Sequence, residues 1–435
     1  MNTILLSALF GAEGRPERMR FLEQVQDHIG DEVRLVAFNT SNDVASTSVG
    51  VINALSGRRK VIDNPHAALR QLLDETCPDQ TARILDHVAG EFAHNPGSYD
   101  RNVLRHVLLT QAFVRALDDE QPDHVFLWNQ FNALHRHFAH ILQARGIAHG
   151  FFHDGVLPGS IAFDIDGEMG ESWIARDPDR FQSVPMDPAD LDRAAAFFTR
   201  LEAMNVDRHV QQDDISVSEA IALAHWEGKP LVLYAGQADW HAGVRPDGPS
   251  RMLHSPLYDS SLDALRHLDT VAGELGISIL FKPHPLTRER YTFLEAEDYP
   301  NTLILSSVTM QSCLDAADLV ATIASQTCYV ALMAGKPVLM LGRNQITGKG
   351  LTYDATSREG LADLILEALR DPLAETRARD LAEHAARLER MYLFDYGTLD
   401  TGFYRRGPAQ VARLMTQSLT RAKDEIIEAL THSAL

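Results

Sequence analysis

Residues 277–281, Ile-Ser-Ile-Leu-Phe, form a short apolar run that stops at Lys282-Pro283-His284-Pro285. A run of this length closed by prolines reads as a buried strand, since proline fixes φ and has no N–H to give a neighbouring strand. Strands that are apolar throughout belong to parallel sheets covered by helices on both faces. In such sheets ligands collect beyond the carboxyl ends of the strands. A lysine and a histidine held between rigid prolines at that edge suit a phosphate-bearing ligand. A proline turn with a surface histidine is the plainer reading of the same residues.

The surrounding chain alternates in the same way. Residues 3–9 read as a strand, followed by the loop Phe10-Gly11-Ala12-Glu13-Gly14, a helix over 16–29 and a strand over 33–38. Gly11 and Gly14 miss the GxGxxG spacing, so no dinucleotide cofactor is inferred. Residues 65–117 carry apolar residues at helical spacing. Residues 124–128 form a strand ending in Asn129-Gln130, and a helix over 133–145 closes on Gly146. The strand 147–152 then runs into His153-Asp154-Gly155, which puts Asp154 at the carboxyl end of a parallel strand. Residues 158–173, rich in glycine and acids, read as a long functional loop or a small hairpin, and 205–216 is polar enough for an interdomain linker. A second alternation starts at Pro230, with strands over 231–235, 277–281, 302–305, 319–323 and 338–341 and helices between them. The expected class is α/β, with two Rossmann-like doubly wound domains facing a cleft. Their expected bounds are 1–205 and 230–404, joined by a linker over 206–229 and followed by a helical segment over 405–435.

Composition narrows the partners. Sixty acidic against 40 basic residues give a formal charge of −20, which argues against nucleic acid as the ligand. Cys77, Cys313 and Cys328 have no metal or redox spacing, and the first residues lack a basic stretch before their short apolar run. A cytoplasmic location is expected. No window approaches 18 apolar residues, so no membrane span is expected. No basic amphipathic helix is evident, and Arg405 and Arg406 make only a small basic patch. Peripheral association with the inner face of the membrane stays open.

Three strand ends in the second half carry polar groups. Gly236-Gln237-Ala238-Asp239-Trp240 follows one strand, Lys282 and His284 the next, and Ser325-Gln326-Thr327 follows Thr322-Ile323-Ala324 and opens a helix. Free N–H groups and hydroxyls at such a position seat an anion, or simply cap the helix. Gly342-Arg343-Asn344-Gln345 and Gly348-Lys349-Gly350-Leu351-Thr352 form a glycine-rich loop with two cations but without GxxxxGK[ST] spacing. It reads either as a holder of carboxylate or phosphate or as a mobile surface loop. Asp154-Gly155, taken alone, reads as a tight turn. Asp164, Asp166 and Glu168 read as a solvated acidic loop rather than a calcium loop. His135, His137 and His140 read as a partly exposed helix face rather than a metal site. Trp240 and Tyr353 serve either as stacking platforms for a base or sugar or as core and rim packing.

Taken in order, Ala235-Gly236-Gln237 with Asp239, Lys282-Pro283-His284-Pro285, Ala324-Ser325-Gln326-Thr327 with Ala331-Leu332, Gly335-Lys336-Pro337-Val338, and Gly342-Arg343 with Gly350-Leu351-Thr352 resemble the capsule polysaccharide synthesis family. That family includes β-Kdo transferases that build the Kdo linker between capsular polysaccharide and lipid, with a GT-B-like fold and CMP-Kdo as donor. The resemblance runs over residues 126–404. Its histidine-proline pair is shared with bacterial sialyltransferases and CDP-glycerol polymerases, and the ordered set is the more specific sign. The resemblance implies that His284 contacts the donor phosphate and that Ser325 and Thr327 contact the same phosphate or the sugar carboxylate. It implies a donor site completed by Gly236, Gln237, Lys282, Pro285, Gln326, Arg343, Lys349 and Gly350. It makes the first domain the acceptor and catalytic one, with Asp154 as the carboxylate facing the anomeric centre, and the second the nucleotide-sugar one. Relatives often place two acids before the glycine; here His153 takes the first place, which bears on acceptor and stereochemistry.

The implied activity is transfer of an acidic sugar, Kdo first, from its CMP-activated donor to a glycan or glycolipid acceptor in surface polysaccharide assembly, without cofactor or metal. The alternatives are a transferase for another CMP- or CDP-activated unit, sialic acid or glycerol phosphate, and a catalytically silent binding subunit of an assembly or export complex.

Overall fold

The computed structural model describes residues 1–13, 15–57, 62–92, 98–204, 216–245, 250–285, 287 and 298–431. Its strands, in chain order, are β1 (Asn2–Ala8), β2 (Val33–Asn39), β3 (Gly50–Asn53), β4 (His124–Trp128), β5 (Ala148–Asp154), β6 (Ser160–Asp164), β7 (Leu231–Ala235), β8 (Ser278–Lys282), β9 (Thr302–Ile304), β10 (Leu319–Thr322), β11 (Val338–Met340), β12 (Tyr353–Asp354) and β13 (Leu393–Asp395). They form two sheets, in the orders β13-β6-β5-β4-β1-β2-β3 and β12-β11-β10-β7-β8-β9. The second sheet is parallel throughout. The first is parallel from β3 to β5 and then turns antiparallel at β6 and β13.

Counted from its own first strand, each sheet runs third, second, first, fourth, fifth. This is the doubly wound order, and it reverses between β1 and β4 in one sheet and between β7 and β10 in the other. The expected α/β class and its two doubly wound sheets are therefore present. The central strands are apolar on both faces because helices cover both: Ile4, Leu5 and Leu6 of β1 and Val232, Leu233 and Tyr234 of β7 are almost fully buried. Burying each such side chain contributes about 1.5–3 kcal/mol before the entropy cost. Helix ends follow local signals. The helix Ser261–Leu275 starts with Ser260 accepting the N–H of Asp263 and stops at Gly276, whose φ of 67° is open to glycine at little cost.

The chain divides into two compact units, one of Met1–Glu168 with Arg387–Leu435, the other of Met169–Ala386. These are not the expected bounds. Residues 169–204 join the second unit, held there by Gly170 N–H donating to His254 Nδ1 at 3.3 Å and Lys349 Nζ donating to Ile174 O at 2.8 Å. Residues 387–435 return to the first, because β13 pairs with β6 and the helix Pro408–Ser418 packs on the helix Glu17–Ile29. Within the expected linker, residues 206–215 lie outside the described residues, and Val217–Leu223 is a helix with a capping box at Ser216. Among the described residues, no helix is long and apolar enough to cross a membrane.

Candidate active site

In the second unit the strand-order reversal is marked by Gln237, just beyond β7. Its side chain is 3% exposed, and Oε1 accepts the N–H of Ala324, beyond β10, at 2.6 Å. Its backbone N–H donates to Ser261 Oγ, and its Nε2 is buried without a partner. Gly236 before it donates to Lys282 O at 2.9 Å, and a Cβ there would come within 2.9 Å of the Phe281 ring, so the backbone approach needs glycine. Asp239 accepts from both the hydroxyl and the N–H of Ser261, which makes it a helix anchor. On the β10 side Ser325 Oγ accepts Thr327 N–H at 3.2 Å and lies 3.0 Å from Thr327 Oγ1. The two hydroxyls are therefore held together and half-buried, as is Gln326 at the cap position of the helix Thr327–Met333. Asn344 donates to Ala324 O at 3.2 Å and ties the glycine-rich loop to the same strand end.

The two lysines expected at the donor are turned elsewhere. Lys282 is 3% exposed, and its Nζ donates to Val308 O at 2.6 Å; it is the last residue of β8 and points into the protein rather than out at the lip. Lys349 donates to Ile174 O and lies 5.2 Å from the centre of the Phe181 ring, and burial pulls its pKa down to about 8 against the pull of Asp354. The loop it belongs to is packed, with Asn344, Gln345 and Ile346 buried, which overturns the mobile-loop alternative; Gly348 and Gly350 make its turns at φ of 74°. Arg343 and Gly350 are exposed. His284 is half-buried, its carbonyl accepting Thr287 N–H at 2.9 Å, between buried Pro283 and exposed Pro285. Trp240 and Tyr353 are core residues.

In the first unit Asp154 ends β5, with its side chain 40% exposed and Oδ2 3.8 Å from Arg18 Nη2. Asp154-Gly155 is the near side of a β5–β6 hairpin: Gly155 N–H donates to Ser160 O, and any Cβ at Gly155 would overlap the Ser160 side chain. Below it, His153 donates from Nδ1 to Asp154 O at 2.8 Å and from Nε2 to Asp164 Oδ2 at 3.0 Å, and Tyr392 OH donates to the same oxygen at 2.6 Å. Burial opposes a charge on the His153 ring. Glu168 and Asp164 outweigh it and lift the pKa to about 9. Burial pushes the Asp164 carboxyl up, against the hydrogen bonds from His153 and Tyr392. With two donors converging on one oxygen, the charged pair is the arrangement the geometry favours.

Several expectations fall here for one reason, nonlocal partners. Asp164 and Glu168 are not solvated: Asp164 holds His153 and Tyr392, and Glu168 exchanges two hydrogen bonds with Gln130 at 2.7–2.8 Å. Asp166 pairs with Lys423 at 3.6 Å. His135 and His137 are buried, not on a partly exposed face; they meet Ser7 at 3.2 Å, and His106 at 3.0 Å and Thr76 at 3.2 Å, respectively. Arg406 is buried over the Phe394 ring and Arg405 pairs with Glu389 at 3.6 Å, so they form no surface basic patch. The sequence reading missed Arg18, Trp128 and Tyr392. Arg18 had a visible signal, being a lone cation on the stripe Arg18, Phe21, Leu22 and Val25 that the helix buries.

Residues 203–377 match the family model described as "Capsule polysaccharide biosynthesis protein". Over 194 residues the chain is 25% identical to the capsule polysaccharide modification protein LipA of Neisseria meningitidis serogroup B. The aligned part is 44% of this chain and 26% of that protein, so the chain spans about a quarter of its relative's length. Among solved structures, the beta Kdo 2,7 transferase KpsC of Thermosulfurimonas dismutans aligns at a TM-score of 0.43 and 17% identity over 71% of this chain and 89% of that one. The beta Kdo 2,4 transferase of the same organism gives 0.39 and 16% over 57% and 80%. A Methanocaldococcus jannaschii UDP-GlcNAc 2-epimerase gives 0.35 and 12% over 89% and 98%. At these scores the structural neighbours carry no functional weight.

Proposed function

We propose, from the match of residues 203–377 to the capsule polysaccharide biosynthesis family, that the chain is a glycosyltransferase moving an acidic sugar, Kdo, from CMP-Kdo to a glycan or glycolipid acceptor. The observation that carries the reading is Gln237: a buried amide whose Nε2 has no partner, fastened where the second sheet's strand order reverses. An unpaired buried donor is costly, and at a switch point it is offset when a ligand accepts from it. The paired Ser325 and Thr327 hydroxyls, His284 and exposed Arg343 supply further contacts for the cytidylyl phosphate, which leaves with its charge stabilised by these donors. Asp154 serves the anomeric carbon, as nucleophile in a retaining route or as base in an inverting one. Cys77, Cys313 and Cys328 are buried and in no disulfide, which suits a reducing cytoplasm, the compartment we propose.

The test is release of CMP from CMP-Kdo, CMP-sialic acid and CDP-glycerol, each with and without glycan acceptors. Consumption of CMP-Kdo is expected, and His284→Ala should slow it by about 100-fold through lost leaving-group stabilisation. Consumption of CDP-glycerol alone would transfer the chain to the alternative donor class, and binding without consumption of any donor would make it a silent subunit.

A further inference from the structure

Arg18 lies in the first turn of the helix that follows β1, and its guanidinium carbon stacks 4.0 Å above the ring of Trp128, the last residue of β4. Since β1 and β4 are the neighbours between which the first sheet reverses, the guanidinium occupies that sheet's switch point. It is 8% exposed yet poorly compensated. Nη1 reaches Leu9 O only at 3.4 Å, Nη2 faces Asp154 Oδ2 at 3.8 Å, and Nε is buried without a partner. Beside it the Tyr396 hydroxyl is buried, reaches Arg18 only as a loose hydrogen-bond partner, and feels the charges of both Arg18 and Asp154. Guanidinium is a rigid fork of five donors shaped for carboxylates, and stacking on Trp128 fixes the plane of the fork. The donor capacity left over beside a half-exposed carboxylate suits a second carboxylate.

We propose that Arg18 binds the carboxylate of the transferred sugar and so selects 2-keto sugar acids over neutral sugars. The inference rests on the reading of Asp154 as the group that serves the anomeric carbon. In a 2-keto sugar acid the carboxylate is bonded to that same carbon, so it must approach Asp154 closely. Two carboxylates at such range repel, and a guanidinium within reach of both offsets the repulsion. A neutral aldose bears hydrogen at that carbon and gains nothing from Arg18. Selection thus sits in the first unit, separately from recognition of the nucleotide.

The test is calorimetric binding of free Kdo, N-acetylneuraminate and the C1 methylamide of each to wild type, Arg18→Gln and Arg18→Lys, with melting temperatures measured for all three proteins. Wild type should prefer at least one acid over its amide by about 30-fold or more. Arg18→Gln should abolish that preference, and Arg18→Lys, which keeps the charge but loses the fork, should lower it at least threefold. If Arg18→Gln does not fold, Arg18→Lys decides the matter. A wild type without the preference, or variants that keep it in full, would overturn the proposal. So would variants that lose turnover of CMP-Kdo while the binding preference stays, since that pattern belongs to a residue that only orients Asp154. Failure of the transferase reading shows separately, as wild type consuming no CMP-sugar while the binding preference is still read.

Discussion

At the carboxyl end of β5 in the first unit, Asp154 is 40% exposed beside a buried and poorly compensated Arg18. At the carboxyl end of β8 in the second, Lys282 is 3% exposed and ties down Val308 O, and Lys349 in the loop beyond β11 is likewise turned inward. The same strand order thus supports two uses of charge. The first unit keeps a cation at its switch point and an anion beside it, one strand away at the end of β5. The second uses two of its cations as internal clamps and faces its own switch point with an amide and two hydroxyls. On the proposed reading the second unit meets the phosphate with Gln237, Ser325, Thr327, His284 and Arg343, and the first serves the sugar carbon with Asp154.

Asp154→Asn should break this division most severely. The amide is neither nucleophile nor base, so transfer should fall by about 10⁴-fold while CMP affinity stays within threefold of wild type. CMP affinity that fell together with turnover would mean that Asp154 helps hold the nucleotide, and the contrast between the units would dissolve.

Acid should separate the units next. Burial lowers the pKa of His106, His124, His135 and His140 to about 4, and lowers His137 and His149 as well, all in the first unit. Unfolding returns these rings to about 6.5, so between those values the unfolded chain binds more protons and stability falls as pH falls. The loss amounts to on the order of 1–2 kcal/mol per fully buried ring at pH 5, a large share of a domain's stability. His153 acts in the opposite sense. Raised to about 9, it contributes fully below about 6.5 and loses that contribution as pH rises through 9. The first unit should therefore be most stable between about pH 6.5 and 8. Urea midpoints at pH 5, 7 and 9.5, followed by Trp128 fluorescence in a variant with Trp173, Trp226 and Trp240 changed to Phe, measure this. A midpoint unchanged from pH 7 to 5 would mean that the folded rings take up protons as readily as the unfolded ones, with no lowered pKa.

The parts legible in the sequence were those with local causes. Parallel strands buried on both faces read as continuous apolar runs, so β1, β4, β7, β8 and β10 stood out, and with them the lips carrying Gln237, His284, Ser325 and Asp154. The unit bounds were not legible, because the return of residues 387–435 depends on β13 pairing with β6 and on Tyr392 reaching Asp164, 228 residues away. For the same reason Asp164 and Glu168 looked solvated when they are buried. Arg18 was passed over because a helix is read for its apolar stripe, and a cation on that stripe counts as noise until its neighbours are known.

Lys282 gives the smallest effect and the sharpest test of the second unit's half of the contrast. Position alone put it at the donor lip; the inward turn of the last β8 residue takes it away. Lys282→Met keeps the stem's length and removes the donor to Val308 O, leaving that buried carbonyl unpaired, at a cost of about 1–3 kcal/mol in urea or thermal unfolding. The KM for the donor should change less than about threefold, because no contact to phosphate is lost. A clamp changes stability and spares KM, whereas a phosphate ligand raises KM by about tenfold or more, since hydrogen bonds between charged groups are the strong ones. A rise of that size with unchanged stability would return Lys282 to the donor site. The second unit would then bring a buried cation to its ligand, as is proposed for Arg18 in the first.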